Sequence, residues 1–112
     1  MPGVTVDTPR GTVTISRDVV ADIVAETAGR CYGVVGLSSA SRVARMLRRE
    51  GVGVAGDGSG LRIDLHVVVE HGLNLAEVAA TVRSQVAYEV ERVTGLPVAA
   101  VEVVIQNVRQ SA

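Results

Sequence analysis

The sequence contains no Phe, no Trp and no Lys, and a single cysteine, Cys31. Without Phe or Trp, and with only Tyr32 and Tyr88 as aromatics, the core has to be built from Val, Ile, Leu and Ala, and platforms for stacking nucleobases are scarce. Without Lys, all 11 basic residues are Arg; against 12 acidic residues they leave a formal net charge of -1. That balance argues against a dedicated duplex-DNA binder, which carries a clear basic excess. One cysteine cannot form an internal disulfide, so a reducing cytoplasm is the expected location. No apolar run approaches the roughly 20 residues that span a bilayer. The opening "MPGVTVDTPRG" lacks the basic-then-apolar order of a secretory signal. Any association with a membrane is therefore expected to come through a partner.

What is present is an ordinary globular balance. Of 112 residues, 47% are hydrophobic and 21% charged, enough for one domain with its own core. Residues 1–10 hold two of the three prolines and no sustained period, and read as a loose N-terminal tail. The domain is expected over 11–109, with a short tail at 110–112.

"GTVTIS" alternates, with Val13 and Ile15 on one face, as a short half-buried strand does. Ser16 is then placed as an N-cap, and Val20, Ile23, Val24, Thr27, Ala28 and Cys31 recur at helical spacing. That helix is expected to end near Tyr32, with Gly33 as its stop. Val43, Met46 and Leu47 mark a short helix whose other face carries Arg42, Arg45 and Arg49. Two strands joined at Asp57-Gly58 follow. In the second, Ile63, Leu65, Val67 and Val69 share one face, and Arg62, Asp64, His66, Val68 and Glu70 the other. Asn74 and Glu77 have capping-box spacing, and the apolar stripe from Leu75 to Val93 ends at Gly95. "PVAAVEVVIQNV" closes the chain as a strand. The order strand, helix, short helix, two strands, helix, strand predicts a two-layer α+β sandwich with its helices on one face of a small sheet.

Few residues carry chemistry. "GVGVAG", from Gly51 to Gly56, spells the dinucleotide fingerprint. It sits after a helix and before a turn, where no helix N-terminus can hold pyrophosphate. His66, Asp64 and Glu70 share a strand face without metal-ligand spacing. Cys31, near a helix C-terminus, is placed against thiolate formation and reads as a small core residue. No nucleophile elbow and no acid–base pair stands out, so no enzyme, cofactor or metal is expected. "GVVG", comprising Gly33, Val34, Val35 and Gly36, has the GxxG form of a KH-type phosphate clamp. The element order partly fits a KH-like single-stranded RNA-binding module using Arg42 to Arg49 for charge. Its central valines favour a structural turn, and RNA binding stands as the alternative function.

Taken together, "GTVTIS", "GVVGL", "GVGV", "LRIDLHVVVEHG", "VERVTGLPV" and "VEVVIQNV" resemble the alkaline shock proteins, a bacterial family of envelope stress response proteins. The resemblance runs from about Gly11 to Val108. His71 stands where an aromatic is expected and Glu102 where Asn is frequent, and the charged tails of longer members are missing. The resemblance implies a non-enzymatic cytoplasmic protein of envelope homeostasis and general stress, working through protein–protein contacts. It also implies a small membrane-anchored partner protein and self-association into a homo-oligomer. The residues offered for such contacts are Arg42, Arg45 and Arg49, together with Val68 and Val104, which are apolar on otherwise polar strand faces.

Overall fold

The computed structural model describes residues 3–37 and 51–110. Arg42, Arg45 and Arg49, with the short helix expected around them, lie outside the described residues. The elements are β1 (Gly3–Thr8), β2 (Gly11–Ser16), α1 (Arg17–Gly29), β3 (Val34–Leu37), β4 (Val52–Asp57), β5 (Gly60–Glu70), α2 (Leu75–Thr94) and β6 (Val98–Arg109).

The larger sheet is organised around β5, with which each of its other strands pairs. On one flank β4 runs antiparallel beside Gly60 to Leu65, and β3 continues that flank beside Val67 to Val69. The other flank is taken by β6, parallel to β5 from Leu61 to Glu70. The parallel pairing follows from the connection, since α2 carries the chain back across the sheet between the two strands. β1 and β2 form a separate antiparallel hairpin. Gly56 admits it against β4, because a Cβ there would collide with the Val4 side chain.

Both helices cover one face of β5. The core joins Val20, Val24 and Ala28 of α1 to Val78, Val82, Val86 and Val90 of α2, over Leu61, Ile63, Leu65, Val67 and Val69. Val4 and Val6 close it from the hairpin side. Leu and β-branched side chains fill this layer without an aromatic; their limited χ1 freedom suits a small, tightly specified core. The helix ends follow local chemistry. Ser16 accepts a hydrogen bond from the Asp18 N–H, and Asn74 Oδ1 accepts from the Glu77 N–H at 3.1 Å. Gly95, at φ 72, supplies the left-handed residue that ends α2.

The expected two-layer α+β sandwich is present, with two further strands. The loose tail is corrected: Gly3–Thr8 is β1, with Val4 3% and Val6 0% exposed. The alternation in "GVTVDT" puts these two valines on one face, and burying them outweighs the turn signal of the prolines. Helix α1 stops at Gly29, earlier than expected, with Arg30 as its C-cap. The "GVVG" turn is corrected too. Only Gly33 turns, while Val34 to Gly36 belong to β3.

Candidate interaction surfaces

The glycines of "GVVG" serve the sheet and the helix layer. Gly33 has φ 91, and a Cβ on it would stand 2.6 Å from Leu73 Cδ1 and 3.1 Å from Val78 Cγ2. It is the point where the chain passes against the start of α2. The Gly33 carbonyl accepts from the Glu70 N–H at 2.8 Å, and Gly36 is paired with Val68. Val35 falls at the irregularity between them and is 43% exposed. The segment is built into a strand next to β5, unlike the free amide loop that a phosphate clamp requires. "GVGVAG" likewise lies on β4, where Gly53 lets Asp64 approach the backbone and Gly56 admits Val4.

The face of the larger sheet opposite α1 and α2 carries Arg62, Asp64, His66, Val68 and Glu70 from β5, beside Glu102 and Val104 from β6. His66 donates from Nδ1 to Gln106 Oε1 at 2.7 Å, and its Nε2 is 3.9 Å from Asp64 Oδ2. No group of three metal-ligating side chains occurs among the described residues. Val68 was expected to offer apolar contact area, but it is only 5% exposed. It lies between β3 and β6 and is part of the packed structure, so its role as an exposed contact is corrected. Val104 is half-buried in the register position beside His66.

On the helix side, a shallow groove of about 270 Å³ separates the end of α1 from α2, lined by Thr27, Cys31, Tyr32, Thr81, Gln85 and Glu89 among others. Both aromatics of the chain are exposed on this layer, Tyr32 at 77% and Tyr88 at 63%. Burial pushes the Cys31 thiol above its ordinary range, with the Arg30 charge opposing the shift. Its Sγ–H points to the Thr27 carbonyl at 3.4 Å. Across the groove, Arg92 Nη2 donates to Glu89 Oε2 at 2.8 Å, and this hydrogen bond holds the Glu89 carboxyl below its usual range.

The third surface is an edge. β6 pairs with β5 on one side and with no other strand on its outer side among the described residues. Arg83 Nε caps one outward carbonyl, that of Val101, at 3.3 Å. The sequence holds the signal for this surface, a long Val-rich segment without Pro or Lys between Val98 and Arg109. Its position at the border of the sheet does not show in the sequence. The exposure of Tyr32 has no sequence signal either, since it continues the apparent helical run.

The architecture defines the class first. Solved structures of MamM CTD share this two-layer fold. One variant has a TM-score of 0.58 at 15% identity, covering 86% of this chain and 84% of that one. Another has a TM-score of 0.53 at 17% identity, covering 80% and 95%. At such identity the likeness concerns the fold alone. The sequence relatives are more specific. The chain is 34% identical to the uncharacterized protein YloU of Bacillus subtilis over 110 residues, covering 91% of this chain and 92% of that protein. It is 31% identical to the uncharacterized protein Spy1614 of Streptococcus pyogenes serotype M6, covering 95% and 94%. Residues 5–110 match the alkaline shock protein 23 family, which has a cell envelope-related function. The chain belongs to that family.

Proposed function

We propose that the protein acts as a non-enzymatic protein-binding module in envelope homeostasis and stress tolerance, recruited to the membrane by a small anchored partner. The family match over residues 5–110 carries this reading, because it takes in nearly the whole chain. Among the described residues no helix is long and apolar enough to cross a bilayer. The long helix α2 has Glu77, Arg83, Glu89, Glu91 and Arg92 along its length. Recruitment through a partner accounts for an envelope role without such a span. Arg42, Arg45 and Arg49 are proposed as the contact with that partner, with Val104 adding apolar area.

The test is cell fractionation combined with a deletion strain. The wild-type protein is expected in the membrane fraction, and the strain lacking it is expected to survive envelope stress poorly. Arg45→Glu with Arg49→Glu is expected to move the protein out of that fraction while its melting temperature stays unchanged. A protein absent from the membrane fraction, with normal stress survival in the deletion strain, contradicts the proposal.

A further inference from the structure

We infer that β6 is an incomplete edge whose missing neighbour is β6 of a second copy of this chain, joined antiparallel about a two-fold axis. Self-association in general is implied by the family resemblance; the strand, orientation and register inferred for it go beyond that and do not depend on the envelope reading. The first observation is the edge itself. Natural edge strands are kept from pairing by Lys, Pro, shortness or irregularity. β6 is 12 residues long, has neither Lys nor Pro, and carries Val98, Val101, Val103, Val104, Ile105 and Val108; its two irregularities, at Ala99 and Gln106, leave regular stretches between and beyond them.

The second observation is which backbone groups face outward. The Arg109 carbonyl accepts from the His71 N–H, so Arg109 directs its backbone inward. The Val101 carbonyl accepts from Arg83, so Val101 directs its backbone outward. Backbone direction alternates along a strand. Val103 and Ile105 therefore also face outward, and so does Val108 beyond the register shift at Gln106. Arg83 occupies the outward carbonyl at Val101, and among the described residues no strand pairs with the outer side of the stretch from Val103 to Val108.

The third observation selects the register. Glu102 and Arg109 are an odd number of positions apart and would lie on opposite faces of a regular strand. The extra residue at Gln106 corrects this. Glu102 sits beside Asp64, and Arg109 beside Glu70, both on the face opposite the helices. In an antiparallel pair centred between Ile105 and Gln106, Val103 faces Val108 of the second copy with both backbones outward. Glu102 then faces Arg109, and Val104 faces Asn107. The two-fold generates every pair twice, and opposite charges meet directly across the strands. Neither the Glu102 nor the Arg109 side chain has an ion-pair partner among the described residues. The irregularity at Gln106, the second of two in β6, thus becomes the centre of a self-complementary edge.

Sedimentation of the full chain across a range of concentrations tests this. A dimer is expected, and Glu102→Arg or Arg109→Glu alone is expected to weaken it about tenfold or more, since each places like charges opposite each other twice. The double variant carrying both changes restores opposite pairs and is expected to recover the dimer. Loss of folding cannot produce that pattern. Register is read separately by mixing Val104→Cys with Asn107→Cys under mild oxidation. The mixture is expected to form disulfide-linked pairs and each variant alone is not. A chain that stays monomeric at all concentrations overturns the inference. So does a dimer indifferent to both charge reversals, or an edge that captures only an extended segment of another protein.

Discussion

β5 and β6 lie side by side, run parallel, and are both rich in valine, yet they have different surroundings. β5 is paired along both flanks, and Leu61, Leu65, Val67 and Val69 on its helix face have no exposure at all. Among the described residues β6 is paired along one flank, and its corresponding Val101, Val103 and Ile105 are only half-buried. Similar residue types thus serve as the centre of one sheet and its border. Hydrophobic pattern decides which face of a strand turns inward, whereas the number of neighbours is set by topology. A border strand with the composition of a central one is the physical basis for placing a second chain beside it.

The sharpest way to break this comparison is proline. Leu65→Pro removes a ladder N–H in the middle of the sheet and is expected to cost about 3 kcal/mol or more, enough to unfold the domain. Val103→Pro removes an N–H that points away from β5, and chemical denaturation of the dilute protein should register a far smaller loss. Truncation comes next. Leu65→Ala is expected to cost about 2–5 kcal/mol by opening a cavity among fully buried neighbours. Val103→Ala, half-exposed, should cost about 1 kcal/mol or less by the burial it forfeits. Equal costs for the two positions would erase the distinction between centre and border.

The helix joining the two strands gives a smaller effect. Asn74→Ala orphans the Glu77 N–H and is expected to lower stability by about 1 kcal/mol in urea unfolding. The smallest effects are in pH dependence. The lowered Glu89 carboxyl contributes stability that is present above the ordinary Glu range and lost as pH falls through its folded value. Exposure keeps that term slight, and Glu89→Gln should flatten the acid limb of the melting curve only marginally. The raised Cys31 thiol has the opposite sense, its contribution being lost as pH rises past the ordinary thiol range. Alkylation at mildly alkaline pH should therefore be slower in the native protein than in the unfolded chain.

Much of the fold was readable where one local signal decided the outcome. Asn74 and Gly95 bracket α2 as their chemistry requires, and the alternation in β5 assigns each side chain its face. The readings that failed involve competition between signals. Two prolines in the first ten residues masked Val4 and Val6, whose burial governs that segment. The glycines around Val34 and Val35 suggested a turn, but pairing with β5 makes most of the segment a strand. Val68 looked like exposed apolar area because alternation reports the face of a side chain without reporting how crowded that face is. The edge of β6 was invisible for the same reason. Parallel pairing across a helix is a long-range event, and the sequence around Val103 is that of any valine-rich strand.

Amide hydrogen exchange, resolved by residue and repeated at low and high protein concentration, tests the central claim most directly. In the dilute protein, the β5 amides should be protected throughout, while those of Val103, Ile105 and Val108 exchange quickly and those of Glu102 and Val104 slowly. Raising the concentration should bring protection to Val103 and Val108. Uniform protection along β6 in the dilute protein, or fast exchange at Val103 and Val108 at every concentration, would contradict the account.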